Sequence, residues 1–170
     1  MRRTYQTSEL FNALTVRQNF YLALLGDGRI WNHLSMFRNH RLDKEKNKKI
    51  EEQARAVGIY EKLDEPVDSL SHGERRQVEF GLAIITEPKL LLLDEPAAGM
   101  SEEEKQVMLK LIKSLDRSVT VVMIEHNIEM AFEIADYVTV MYDGEIFAEG
   151  TIDEIKNNEE VQRIYLGGAI

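Results

Sequence analysis

The chain has 170 residues, which is enough for one domain with a hydrophobic core. Its composition, 44% hydrophobic and 30% charged, is that of a globular protein in water, and its formal net charge of −9 argues against a nucleic-acid-binding face, which would be basic. Cysteine is absent, so disulfides and thiolate metal sites are excluded. Without an apolar run near the roughly 20 residues that span a bilayer, or a secretion signal, we expect a cytoplasmic protein that meets membranes only through a partner.

The first predicted element is a helix that ends near Leu25. Thr15 and Gln18 have the spacing of a capping box, in which two side chains satisfy the first backbone amides of a helix. Gln6 lies upstream, and its amide offers both a hydrogen-bond donor and an acceptor. The plainest interpretation of this segment is a frayed terminus followed by a capped helix.

The next segment is mostly helical and charged. The charged run 42–57 predicts a solvated helix face, and Gly58 is placed to end that helix. Trp31, Met36 and Phe37 predict an apolar patch that packs in the core or, as the second possibility, meets a partner.

Residues 70–77 read LSHGERRQ and indicate a helix start that suits an anion. Ser71 and Glu74 form a capping box, and Gly73 between them lets a ligand approach the backbone closely. The unpaired N–H groups and the positive dipole end of a helix favour negative charge at this point. The helix itself is predicted over residues 74–86.

Two apolar runs predict parallel strands that are buried on both faces. Residues 90–93 are four leucines, directly followed by Asp94 and Glu95, and residues 119–124 are rich in β-branched side chains. His126 follows the second run by two positions. Because the sites of α/β sheets lie at the carboxyl ends of the strands, we expect these polar side chains at one functional edge.

Capping-box spacing recurs later in the chain and opens two more helices, at Ser101–Glu104 and at Thr151–Glu154. Asp143-Gly144 predicts a tight hairpin turn between two strands. The helix after Ser101 is predicted to reach about Leu115 with a buried stripe formed by Val107, Met108, Leu111, Ile112 and Leu115. The other predicted ranges are a helix over 128–135 and strands over 137–141 and 145–149.

The LSHGERRQ and LLLLDEP segments, in this order and this close together, resemble the ATP-binding cassette (ABC) family. Residues 70–77 look like its signature motif and residues 90–95 like its Walker B strand. The resemblance implies an α/β fold: a partial P-loop NTPase fold with a mostly parallel sheet flanked by helices, and a helical subdomain. It implies one incomplete ATPase domain over 1–170, with the helical subdomain and signature at about 7–88 and the C-terminal part of the ATPase core at about 89–170.

The resemblance also implies roles for single residues. Glu95 would polarise the attacking water as general base, and Asp94 would bind Mg²⁺ through water. His126 would be the switch histidine that contacts the γ-phosphate, and Gln6 the Q-loop glutamine that holds a metal-bound or attacking water. The alternatives are two solvated acids, a surface histidine and an ordinary glutamine.

The family's signature motif acts on a nucleotide held mainly by a second subunit, which implies a head-to-tail homo- or heterodimer. The residues that would contact that ATP are Ser71, His72, Gly73 and Glu74. His72 replaces a usual glycine, so ring stacking or steric tuning at the nucleotide is a further hypothesis. Gly99 and Met100 stand in place of the common Leu-Asp pair of the D-loop, which puts a side-chain hydrogen bond there in doubt.

The sequence contains no G-x-x-x-x-G-K-S/T motif, the P-loop that cradles the phosphates of ATP. We therefore expect a C-terminal fragment that is inactive alone. The turn 97–100 and the ending 165–168 resemble ATPase subunits of branched-chain amino-acid importers. That likeness implies ATP and Mg²⁺ as ligands, membrane-embedded permease partners, and a peripheral position on the inner face of the membrane.

Two other interpretations remain open at this point. One is a non-transport ATPase of the same superfamily, as in DNA repair or chromosome maintenance, although the acidic balance and the short distance from Gln6 to Leu70 count against it. The other is a non-catalytic fragment that acts as an interaction module. No nucleic-acid partner is expected.

Overall fold

The structure, a computed structural model, describes residues 2–3, 10–26 and 44–165. The helices are α1 (Val16–Leu25), α2 (Lys44–Ala56), α3 (His72–Ile84), α4 (Glu102–Lys113), α5 (Ile128–Ile134), α6 (Ile152–Lys156) and α7 (Glu159–Tyr165). The strands are β1 (Arg2–Arg3), β2 (Leu90–Asp94), β3 (Thr120–Ile124), β4 (Val138–Tyr142) and β5 (Glu145–Gly150). Two 3₁₀ turns, Tyr60–Lys62 and Val67–Ser69, form the connector between α2 and α3.

Local sequence signals set the helix starts and the tight turns. The predicted capping boxes are confirmed, and their N-cap residues are Thr15, Ser71, Ser101 and Thr151. Gly58, directly after the α2 segment, has a φ of +76°, which glycine tolerates without steric cost. Asp143 and Gly144 have φ values of +49° and +83°, which agrees with the predicted hairpin between β4 and β5.

The chain divides into two compact units, 1–124 and 125–170. The first contains a parallel sheet in the order β1-β2-β3, in which Leu90 pairs with Thr120 and Asp94 with Ile124. The second contains the antiparallel pair β4–β5. The functional division at about residue 88 stays a prediction.

Helices α1, α2 and α3 pack together in the first unit. Phe20 of α1 is fully buried against Gly81 of α3, where an added Cβ would lie only 2.8 Å from the Phe20 Cζ atom. The Cγ2 atom of Val57, the residue after α2, would lie 3.3 Å from the same Cβ. Gly81 is therefore the point at which an aromatic side chain can approach the α3 backbone.

Asn19 is a buried polar residue that fixes the turn before α1. Its Oδ1 accepts the Phe11 N–H at 2.9 Å, and its Nδ2 donates to the carbonyls of Phe11 at 3.2 Å and Thr15 at 3.0 Å. The two carbonyls also accept the backbone N–H groups of Leu14 and Asn19, so the side chain adds its hydrogen bonds to those and gives the Phe11 N–H an acceptor.

The burial predicted for the two parallel strands is only partly correct. In β2, Leu91 and Leu93 are buried, whereas the alternating residues are half-buried. In β3, Val122 is 50% and Ile124 is 61% exposed, so the expectation of a strand buried on both faces is wrong for the described residues. Within that part of the chain β3 pairs only with β2, and one of its faces is open.

The stripe predicted for α4 also needs correction. Met108 and Ile112 are buried as expected, but Val107 is 40% exposed and Leu109 takes its place in the core. The expected apolar patch of Trp31, Met36 and Phe37 lies outside the described residues. In the part of the chain that the structure describes, no helix is both long and apolar enough to cross a bilayer.

Candidate functional site

The signature turn, residues 71–74, begins helix α3. The Ser71 Oγ accepts the Glu74 N–H at 3.2 Å, and the Ser71 N–H donates to Glu74 Oε2 at 2.8 Å. Ser71 and His72 are exposed, whereas Gly73 is buried. In this structure the Glu74 carboxylate therefore serves the cap of its own helix.

His72 joins the signature turn to the turn that follows β2. Its Nε2 lies 3.0 Å from the Ala98 carbonyl oxygen. Gly99 has a φ of +74°, and a Cβ there would lie 3.2 Å from the same nitrogen. The family resemblance predicts His72 near a nucleotide, but it carried no signal for this contact with the D-loop backbone.

Glu104 is the second link between the signature turn and the segment after β2. Its Oε2 accepts the Ser101 N–H at 2.9 Å, and its Oε1 lies beside Gly73, where it would meet an added Cβ. The Ser101 backbone contributes most to lowering the pKa of Glu104, and the Gly73 backbone and the His72 charge act in the same direction. Sequence spacing identified Glu104 as a cap, but carried no signal for its contact with Gly73.

The two strand-end acids lie where the pattern predicts, at the carboxyl end of β2. Asp94 is the last residue of the strand, and the Glu95 N–H donates to the Ile124 carbonyl at 3.0 Å. Glu95 has a φ of +45°, a left-handed conformation that costs a residue with a side chain on the order of 1 kcal/mol or more. Backbone strain of this kind concentrates at functional sites, so it supports a chemical role for Glu95.

The structure does not test the other two residues expected in the site. His126 is exposed and belongs to the second unit, two positions after the end of β3. Gln6 lies outside the described residues. Their catalytic and metal-binding roles stay predictions, as does the contact of residues 71–74 with ATP.

A magnesium ion would find one suitable carboxylate here. Mg²⁺ in nucleotide sites is held by one or two carboxylates together with phosphates and water. Asp94 matches that donor type, and within the described ranges no group of three His, Asp or Glu side chains is arranged for a metal ion. The role of Asp94 as a Mg²⁺ ligand stays a prediction.

Comparison with protein families identifies an ATP-binding cassette protein. The ABC transporter family matches residues 1–98, and the branched-chain amino acid ATP-binding cassette transporter family matches residues 145–170. The chain therefore belongs to the ABC transporter family, as an ATP-binding subunit, and members of this family hydrolyse ATP.

Several importer subunits are similar to this chain. The high-affinity branched-chain amino acid transport ATP-binding protein LivG of Salmonella typhimurium is 32% identical over 172 residues, which cover 98% of this chain and 68% of LivG. BraF of Pseudomonas aeruginosa, with the same description, is 30% identical at the same coverage. The lipopolysaccharide export system ATP-binding protein LptB of Haemophilus influenzae is 30% identical over 163 residues, which cover 95% of this chain and 63% of LptB.

Solved structures confirm the fold class. An ATP-binding cassette of an ABC transporter in its ADP conformation is 26% identical with a TM-score of 0.77, and the match covers 98% of this chain and 68% of that one. A nucleotide-free cassette at 24% identity and a TM-score of 0.73 shares the fold. The α/β P-loop NTPase fold and the ABC resemblance are thus confirmed, and the non-transport alternative is not favoured.

Proposed function

We propose that the chain provides the signature, Walker B and switch parts of an ATPase subunit that drives import of branched-chain amino acids or a related small solute. The observation that carries the proposal is the pair Asp94 and Glu95 at the carboxyl end of a parallel strand, with Glu95 on a strained backbone. The cargo rests on the likeness to LivG and BraF. LptB shows that similar chains also serve export.

The chemistry assigned to the chain is the hydrolysis of ATP to ADP and phosphate. Glu95 accepts a proton from the attacking water, and His126 and Gln6 orient that water against the γ-phosphate. Asp94 holds the Mg²⁺ of the nucleotide through water, which neutralises phosphate charge. The phosphate-cradling P-loop comes from a segment outside these 170 residues.

The signature turn acts on a nucleotide held by a second ATPase subunit. Its exposed Ser71 and His72 and the start of α3 favour an oxyanion at this place. Two such subunits, identical or different, close on ATP and reopen after hydrolysis. The helical subdomain passes this motion to membrane-embedded permease subunits, which hold the ATPase on the cytoplasmic face of the membrane.

The test is ATP hydrolysis in a completed domain. A P-loop-bearing N-terminal segment from a related importer subunit is fused ahead of Met1, and phosphate release is measured with Mg²⁺. We expect Glu95→Gln to reduce the rate constant by about 10²- to 10³-fold while ATP binding persists, because the general base is lost. The 170-residue chain alone should show negligible turnover.

Glu103→Gln is the matched control, since Glu103 is an exposed acid in the first turn of α4 and the charge change is the same. Its rate should stay within about twofold of the unmodified fusion. Equal rates for Glu95→Gln and Glu103→Gln in a folded, ATP-binding fusion would show that the proposed chemistry is wrong.

A further inference from the structure

We propose that His72 is a positioning residue for Glu95: its ring holds the turn 95–99 after β2 and so fixes the backbone that carries the general base. The inference rests on the proposed function, because Glu95 is a general base only there. It gives the signature turn a second task within its own subunit, which neither the family resemblance nor the similar proteins assign.

The hydrogen bond between His72 and Ala98 has one possible direction. The Nε2 atom of His72 lies 3.0 Å from the Ala98 carbonyl oxygen. A carbonyl oxygen only accepts, so the His72 Nε2 carries the proton and donates it. The neutral Nε2–H tautomer and the imidazolium ion both meet this condition, so the contact does not depend on the charge of the ring.

The backbone of Ala98 passes this contact on to Glu95. The Ala98 N–H donates to the Glu95 carbonyl at 3.1 Å, and the Glu95 N–H donates to the Ile124 carbonyl at 3.0 Å. A hydrogen-bonded path therefore runs from the His72 ring through Ala98 to Glu95. Glu95 has the left-handed φ of +45°, and a strained backbone of this kind persists only where surrounding contacts hold it.

Gly99 gives the ring the room that this contact needs. A Cβ at Gly99 would lie 3.2 Å from the Nε2 and 3.7 Å from the Cδ2 of His72. A larger side chain would push the ring from the Ala98 carbonyl, and it would also be strained at the φ of +74°. His72 stands in place of a usual glycine of the family pattern and Gly99 in place of a common leucine, and the structure brings these two departures into contact.

The turn has a buried side and an exposed side, and different forces hold them. Ala97 and Met100 are 4% and 7% exposed, and the Met100 N–H donates to the Ala97 carbonyl at 3.3 Å. Gly99 is exposed, and the His72 hydrogen bond lies on this side. Loss of that bond should therefore loosen the turn while the packing of its buried side persists.

The contact is tested on the 170-residue chain by NMR with two substitutions of His72. His72→Gln keeps an N–H donor, because the glutamine Nε2 is the same number of bonds from Cβ as the histidine Nε2. His72→Phe keeps a ring of similar size but has no donor. We expect the Ala98 carbonyl ¹³C resonance to move upfield in His72→Phe, and the Ala98 amide to exchange with solvent about three- to tenfold faster.

His72→Gln should leave both Ala98 signals near those of the unmodified chain, with amide exchange within about twofold. Equal changes in His72→Gln and His72→Phe would show that the ring, and not its donor, holds the turn. Unchanged Ala98 signals in His72→Phe would show that His72 does not hold it. Either result would overturn the proposal.

Positioning of Glu95 is tested in the completed domain at saturating ATP. His72→Phe should lower the rate constant of hydrolysis about three- to tenfold, and His72→Gln should restore it. In the Glu95→Gln background, His72→Phe should change the rate constant by no more than about twofold, because a residue that acts through Glu95 then has nothing to position. An effect of full size in that background would contradict positioning and indicate a direct contact of His72 with ATP.

The outcomes separate this inference from the function on which it rests. Altered Ala98 signals with an unchanged rate constant in His72→Phe would refute positioning of Glu95, while Glu95-dependent hydrolysis would stand. A completed domain that binds ATP and hydrolyses none would remove the proposed function. The Ala98 signals would in that case still decide whether His72 holds the turn.

Discussion

At the scale of single residues, one buried side-chain amide, that of Asn19, holds the turn before α1. It is 3% exposed, and its side chain satisfies backbone groups of Phe11 and Thr15. Removing the side chain takes the acceptor from the Phe11 N–H, and a donor left without its partner costs more than the net gain from a typical hydrogen bond.

We therefore expect Asn19→Ala to lower the free energy of unfolding by about 2–3 kcal/mol, measured by urea denaturation with circular dichroism. Gln106→Ala, an exposed polar truncation on α4, is the control and should change stability by no more than about 0.5 kcal/mol. If both substitutions had the same small effect, the hydrogen bonds of Asn19 would not hold the turn before α1.

At the scale of elements, the packing of α1 on α3 depends on the absence of a side chain at Gly81. Glycine in a helix usually costs about 1 kcal/mol relative to alanine. At Gly81 the Phe20 ring occupies the place of that methyl group, so the ordinary preference is reversed.

Gly81→Ala should therefore destabilise the chain by about 1–3 kcal/mol in urea denaturation, because the added methyl overpacks the contact with Phe20. Combining it with Phe20→Leu should recover part of the loss, since the smaller side chain makes room. Gly26→Ala is the matched control: among the described residues its Cβ would meet only backbone oxygens, at 3.6 Å or more, and its φ of −70° suits alanine. A destabilisation equal to that of Gly81→Ala would contradict the packing explanation.

At the scale of the whole molecule, local signals predicted more than tertiary ones. The capping boxes at Ser71 and Ser101 and the Asp143-Gly144 hairpin were predictable because each depends on residues within four positions. The position of Asp94 at the end of a strand was also predictable, because the apolar run that forms the strand stops at this acid.

The contacts that arrange the candidate site were not predictable in this way. The close approach of the Glu104 carboxylate to Gly73 joins segments far apart in the sequence, and nothing local to either residue requires it. The exposure of Ile124 was not predictable either, because an apolar strand has the same sequence whether or not other elements cover its face.

The open face of β3 leads to a prediction for the chain in solution. Val122 and Ile124 present apolar side chains beside the outer edge of the described parallel sheet, and such edges tend to associate. We expect concentration-dependent self-association in analytical ultracentrifugation, and Val122→Thr with Ile124→Thr should weaken it about tenfold or more. Val107→Thr, which changes an exposed apolar residue on α4, should not. Association that persists in the double variant would place the contact elsewhere.

The backbone at Glu95 has a consequence for how this protein can be altered. Its left-handed φ is one that glycine adopts freely, so the fold alone would accept glycine there with relief of backbone strain. Screening variants for heat resistance should therefore enrich Glu95→Gly, which removes the carboxylate. A library ranked only by stability of the folded state would discard the carboxylate that the proposed hydrolysis requires.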